Sequence, residues 1–397
     1  MNTVRSNIES LALKDFFSSP PDVSCSFWEK ALEWTVGKVR NNINIFKNLY
    51  PAPAGVNNVY PLIENYEWTT SFWSGMLWLA WESTGDKIFR ETAEGRIGDF
   101  SSRLDNRIGV NTHDLGFLYT LSCVAPFRLT GNIFAKNAAL KAADLLVMRY
   151  FEKAGIIQAW GDLNDPGQRG RIIIDCAMNL PLLYWASQET GNPYHMEAAR
   201  RHIHQANRYL IRDNWSTYHT FFFDTETGLP VKGNTNQGFS DDSCWARGQA
   251  WGIYGNALSY RYIRDAKLTE NAKGLACYFL NRLGGDLVSY WDLVFTGGNE
   301  ERDSSAAAIA SCGLLELAAA LPVSDPYRRL FENAALHIMA KLASSYTSDA
   351  APDSTGLLLH GVYSKPDKRG VDECTTWGDY FYMEALVRIV KGWNPYW

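Results

Sequence analysis

A chain of 397 residues, 46% hydrophobic and only 20% charged, can bury a large core. Its formal net charge of -5 supplies no pull toward nucleic acid or an anionic membrane, and no stretch reaches the about 18 continuous apolar residues of a membrane span. Seven scattered cysteines (Cys25, Cys123, Cys176, Cys244, Cys277, Cys312, Cys374) form no CxxC pair, which excludes a zinc ribbon, a thioredoxin motif and a disulfide framework.

Residues 1–25 lack the apolar core of a signal peptide and read as a poorly structured lead-in, so a cytoplasmic location is expected. A single catalytic domain is expected over 26–397. Apolar positions at a 3.6-residue period predict helices over 26–49, 69–84, 87–104, 114–130, 132–152, 174–190, 193–211, 244–261, 266–283, 303–321, 325–346 and 376–391. Brief breaks such as Thr130-Gly131-Asn132 and Thr190-Gly191-Asn192-Pro193 imply antiparallel neighbours. Longer loops over 50–67, 153–173, 214–242, 284–302 and 347–375 precede alternate helices, which puts them all at one end. Within them Thr220–Asp224 and Val288–Phe295 alternate like short strands. Six helical hairpins closed into a ring give an all-α (α/α)6 barrel with small β-hairpins at the loop end. An open helical-repeat solenoid is the competing architecture.

Alternate helices also open on clusters of aromatic, acidic and amide residues: WTTSFWSG from Trp68, HDLGFLY from His113, RIIIDC from Arg171, SCWARGQAW from Ser243, RDSSAAA from Arg302 and TWGDYFY from Thr376. In a closed ring they share one cavity. Asp175 follows Ile172, Ile173 and Ile174, an apolar setting that raises a carboxyl pKa and equips the group to donate a proton. A helix N-cap is an equally good reading of the same position. Asp114 has the same two readings, and two carboxylates facing across a cavity would push one pKa higher still. Arg247 in an opening turn suits either a ligand carboxylate or a structural ion pair. Trp68, Trp73, Trp160, Trp245, Trp251 and Trp377 together suit the apolar faces of sugar rings, and Gln158, Gln237 and Gln249 suit their hydroxyls. No metal-binding spacing, P-loop or GxSxG is present, so no cofactor is expected.

The runs HDLGFLY, GIIQAWG, RIIIDC, YHTFFFD, WARGQAWGIYG, RDSSA and WGDYFYMEAL, in this order, closely resemble the unsaturated glucuronyl hydrolases of glycoside hydrolase family 88, from about residue 26 to Trp397. LLLHGVYS before GVDE resembles the streptococcal branch that acts on glycosaminoglycan disaccharides. The resemblance implies an (α/α)6 barrel that needs no metal. It implies a substrate made by a polysaccharide lyase, with a 4,5-unsaturated uronic acid at its non-reducing end. Protonation at C4 and addition of water at C5 of that enol ether would then release the shortened sugar, unlike ordinary attack at C1. By the same resemblance Asp175 matches the general acid/base and Asp114 the second essential carboxylate, with His113 in support. His219, Gln237 and Arg247 match positions around the uronate, and Trp68, Trp160, Trp251 and Tyr363 its aromatic walls.

Ser364 and Lys368 match the hydroxyl and basic residues that follow that tyrosine in sulfate-favouring members. Those members carry Arg where this chain has Asn236, and Asp367 is inserted into Ser364-Lys365-Pro366-Asp367-Lys368-Arg369. A carboxylate repels a sulfate, so unsulfated chondroitin or hyaluronan disaccharide is the expected substrate. The competing readings are an unsaturated rhamnogalacturonyl hydrolase of the same fold, a sugar epimerase using paired histidines, and a non-catalytic helical scaffold.

Overall fold

In the computed structural model, which describes residues 5–397, the predicted periodicities become fifteen helical segments. They are α1 (Cys25–Phe46), α2 (Thr70–Thr84), α3 (Lys87–Glu94), α4 (Ile97–Asp105), α5 (Leu115–Tyr119), α6 (Ala125–Thr130), α7 (Ile133–Val147), α8 (Cys176–Asn179), α9 (Pro181–Thr190), α10 (Pro193–Tyr209), α11 (Ala246–Ile263), α12 (Ala266–Leu280), α13 (Ser304–Ala320), α14 (Pro326–Ser345) and α15 (Thr376–Lys391). One device turns several hairpins. A left-handed residue ends the inner helix (Gly85, Gly131, Gly191 or Arg264), and the next residue caps the outer one through its side chain (Asp86, Asn132, Asn192 or Asp265).

The inner helices α2, α5–α6, α8–α9, α11, α13 and α15 pack in succession, and α15 returns to α2. Outside them α3–α4, α7, α10, α12, α14 and α1 each lie against an inner helix or its neighbour. Closure of α15 on α2 rules out the open solenoid and establishes the (α/α)6 barrel.

Three predicted helices are interrupted, each at a residue that disfavours continuation. Pro181 lacks an N–H and its ring crowds the preceding turn, which separates α8 from α9. Ahead of Pro126 the chain widens into a π-turn over Thr120–Val124, which accommodates the proline without ending the rod. The predicted 87–104 helix breaks around Gly95, the residue that loses most entropy in a helix.

Four small antiparallel sheets decorate the loops: β1 (Tyr50–Pro51) with β2 (Leu62–Ile63), β3 (Tyr150–Phe151) with β4 (Ile156–Ile157), β5 (Arg171–Ile173) with β6 (Thr220–Phe223) and β7 (Pro230–Asn234), and β8 (Gly361–Ser364) with β9 (Arg369–Glu373). The strand expected at Thr220–Asp224 is β6. Val288–Phe295 forms only isolated bridges, Tyr290 to Arg302 and Asp292 to Trp245. There the Asp292 carboxylate accepts the N–H groups of Phe239, Cys244 and Val294, so a side chain replaces the strand ladder.

Before α1 the chain is irregular apart from a turn at Phe16–Ser18, yet it lies against the barrel. Phe17 is fully buried and Glu9 pairs with Arg282 at 2.9 Å; residues 1–4 fall outside the described residues. Among the described residues no helix is long and apolar enough to cross a membrane.

Inside the ring, Glu384 of α15 is buried and accepts hydrogen bonds from Tyr380 Oη (2.8 Å), Trp397 Nε1 (2.8 Å), Arg388 Nε (3.0 Å) and Tyr254 Oη. The Trp397 ring lies parallel to Phe381, centroids 6.0 Å apart. Trp397→Ala removes this filling and one of the bonds to a buried carboxylate, so a destabilisation of about 3–5 kcal/mol is expected. Urea unfolding checks it; a change within the scatter of surface variants would contradict the packing described.

Candidate active site

The opening residues of all six inner helices touch one another. Trp68, before α2, stacks on Trp377 of α15 with centroids 5.2 Å apart, and Trp377 Nε1 donates to Ser305 Oγ of α13 at 2.9 Å. Arg247 of α11 lies 4.8 Å from the Trp377 ring and donates to Asp303, the α13 cap, at 3.2 Å. Asn179 of α8 donates to Asp114, at the start of α5, at 3.5 Å. These starts frame a cavity of about 340 Å³. Asp114 and Asp175 line it together with the aromatic rings of Trp68, Trp160 and Tyr363 and with Ile173. Two loops add a polar set: Asn236 and Gln237 from one, and Ser364, Asp367 and Arg369 from the other.

Asp175 occupies the N-cap position of α8, but its side chain caps nothing. The residue is 9% exposed, and Oδ2 is buried with no hydrogen-bond partner. Burial pushes its pKa up to about 7; Arg247 opposes that and the neighbouring charge of Asp114 adds to it. The Trp251 indole lies close enough to act on the carboxyl, although its Nε1–H meets no hydrogen-bond acceptor. Asp114 is likewise an uncapping N-cap residue. Burial raises it to about 6 against the hydrogen bonds from Thr112 Oγ1 (2.8 Å) and Asn179. At neutral pH Asp114 is therefore the more ionised of the two.

A close helix approach sets their spacing. A Cβ on Gly116 would stand 2.3 Å from Asn179 Cα, so only glycine lets the first turn of α5 meet α8. Asn179 then accepts from Phe117 N at 2.7 Å while its amide reaches Asp114 Oδ1 and Asp175 O (3.4 Å). Sequence reading passed over Asn179 and Thr112; the glycine inside HDLGFLY was the available signal.

Several expected residues stand behind the cavity. His219 Nδ1 accepts the backbone N–H groups of Asn236 (3.2 Å) and Gln237 (3.0 Å), which pins their loop. Burial lowers its pKa to about 3, so the ring is neutral with its proton on Nε2. His113, also lowered to about 3 by burial, backs Asp114 with Nε2 3.3 Å from Oδ1. Trp251 is fully buried, 5.2 Å from both Phe117 and Phe381. Arg247 spends its donors on Asp303, Val362 O and Tyr363 O (2.6 Å), bracing β8 from below. Gln237 Nε2 also donates to Tyr363 O, at 2.9 Å.

Lys368 does not line the cavity. It sits exposed in the β8–β9 turn at φ 53, and the next residue, Arg369, faces the cavity 4.3 Å from the Tyr363 ring. Ser364 Oγ donates to Asp367 Oδ2 at 2.6 Å.

The model of Glycosyl Hydrolase Family 88 matches residues 54–391. The unsaturated chondroitin disaccharide hydrolase of Streptococcus pyogenes serotype M1 is 48% identical over 386 residues, 97% of this chain and 95% of that protein. The crystal structure of unsaturated glucuronyl hydrolase from Streptococcus agalactiae is similar with a TM-score of 0.97 at 44% identity, covering 100% of both chains. A variant of that enzyme complexed with dGlcA-GalNAc6S is similar at TM-score 0.89 and 41% identity, again over 100% of both chains. This chain belongs to glycosyl hydrolase family 88 and is a glycoside hydrolase.

The raised pKa of Asp175 has a thermodynamic consequence. A carboxyl whose folded-state pKa lies above its ordinary 3.8 favours folding when protonated. That contribution is complete below about pH 4 and is lost as pH rises through about 7. Asp175→Asn cannot ionise, so its stability relative to the parent should climb across this window, by roughly 2–4 kcal/mol. Thermal melts of both proteins at several pH values measure the difference; a flat difference would mean that the carboxyl is not desolvated.

Proposed function

We propose that this enzyme removes the 4,5-unsaturated glucuronic acid from the non-reducing end of lyase-generated glycosaminoglycan oligosaccharides, with Asp175 as general acid and base. The observation that carries the reading is a buried carboxyl that caps nothing and is unpaired on Oδ2, in an aromatic-walled cavity beside a second carboxyl; burial pushes its pKa up to about 7. Protonated Asp175 delivers its proton to C4, and the C4=C5 electron pair forms the new C–H bond. The positive charge left at C5 is shared with the ring oxygen. Water adds at C5 and gives its proton to the Asp175 carboxylate, restoring the acid. The resulting hemiketal opens to a C5 ketone, and C1 then releases the remaining sugar as an alcohol.

Asp114, held by Thr112 and Asn179, accepts hydrogen bonds from ring hydroxyls, and its charge adds to the burial that keeps Asp175 protonated. Trp68, Trp160 and Tyr363 pack on sugar faces, with Gln237 beside them. Arg247 and His219 act from behind by fixing Tyr363 and the Asn236–Gln237 loop. The epimerase reading needs paired histidines in the cavity, and neither His113 nor His219 lines it.

Asp175→Asn should lower kcat about 10²–10⁴-fold while leaving the helical circular-dichroism spectrum intact. The assay follows the ultraviolet absorbance of the C4=C5 bond in unsaturated hyaluronan and chondroitin disaccharides. Persistence of that absorbance with the parent enzyme on every unsaturated uronide would overturn the proposal.

We further propose that unsulfated disaccharides are preferred over 6-sulfated ones. Asn236 offers no charge, and Asp367 both occupies the Ser364 hydroxyl and adds a negative charge to the cavity. Asp367→Ala frees Ser364 and should raise kcat/KM on the 6-sulfated disaccharide relative to the unsulfated one by about 5–10-fold. An unaltered ratio would remove Asp367 as a determinant.

A further inference from the structure

We propose that Phe239 and the aromatic cluster beneath it form a stacking platform for the third sugar ring of a longer substrate, adjoining the cavity that takes the first rings. This rests on the hydrolase reading above and adds a chain-length preference to it. Phe239 is 59% exposed and its neighbour Val294 is 54% exposed, an apolar patch at the loop end of the barrel. Scattered exposed apolar side chains are ordinary, but this patch is held rigidly. The buried Asp292 carboxylate accepts from Phe239 N (2.9 Å), Val294 N (3.0 Å), Cys244 N (3.2 Å) and Ser243 Oγ (2.7 Å). The Phe239 ring packs edge-on against Phe295 (5.1 Å) and Trp291 (6.3 Å), the latter buried. A ring fixed from below loses little freedom when a sugar settles on it.

Both loops that supply the cavity's polar lining run on to the patch. Phe239 follows Gln237 by two residues, and Lys365, next to Ser364, sits 5.9 Å over the Trp291 ring. A cavity of about 340 Å³ is at the small end of ligand sites, about 300–1,000 Å³, so further rings emerge over these loops. The apolar C–H face of a pyranose matches the exposed face of Phe239.

The test compares kcat/KM on unsaturated hyaluronan tetrasaccharide and disaccharide for the parent enzyme, Phe239→Ala and Phe239→Tyr. Phe239→Ala should lower the tetrasaccharide-to-disaccharide ratio about 3–10-fold, through KM, while Phe239→Tyr keeps the ring and the parent ratio. A ratio unchanged in Phe239→Ala, or an equal fall on both substrates, overturns the platform and leaves the hydrolase reading standing. The same loss of ratio in Phe239→Tyr also overturns it. Failure of the parent enzyme to consume either substrate overturns the hydrolase reading and this proposal together.

Discussion

Withdrawal of the Asp175 carboxyl from water is the constraint on which the rest of the site depends. An unpaired buried oxygen costs about 1–3 kcal/mol, and an ionised one costs more, so the group is tolerated only in a scaffold with stability to spare. The barrel supplies it through the shared core of six inner helices and through Glu384, Arg388 and Glu316, which tie α15 to α11 and α13. Had Asp175 capped α8, it would have gained hydrogen bonds and lost the elevated pKa. The same backbone position can cap a helix or leave a carboxyl free in the cavity, and the side-chain direction decides which.

Charge around the cavity is arranged by rank of commitment. Arg247 is bound to Asp303 and to two carbonyls of β8, so its field reaches Asp175 while its donors stay engaged. Asp114 keeps two hydrogen bonds to neutral donors and titrates below Asp175. Arg369 is the cavity's own cation, stacked on Tyr363 and 3.5 Å from Glu67. A site built this way keeps neighbouring ionisable groups at different degrees of protonation.

How much of this was legible in sequence follows from the range of each interaction. Amphipathic period and turn chemistry are local, and they located the inner and outer helices to within a few residues. Pro126, Pro181 and Gly95 stood inside otherwise regular patterns, so the breaks they impose were read through. The alternation in Val288–Phe295 reflects side chains arranged about Asp292, a carboxylate whose partners at Phe239 and Cys244 are distant in sequence. Asp114, Asp175 and Trp68 drew notice because each stands at a helix start on a recognisable run, whereas Trp160 and Tyr363 lie in a loop and a strand and were singled out by the family resemblance. Lys368 stays outside the cavity while Arg369 lines it, because a left-handed residue in the turn decides which side chain faces inward, and no local signal there specified it. Asn179 escaped notice since its value lies in bridging two helix starts.

Trp68 and Trp377 stack across the junction where the second helix of the ring meets its last. Elements so far apart along the chain must find each other at high loop-closure cost, a signature of slow, topologically demanding folding. The cavity therefore does not exist in any partly assembled arc of hairpins, however well formed each hairpin is. Recovery of turnover during refolding should lag recovery of helicity, and the interval between them times the final clasp of the circle.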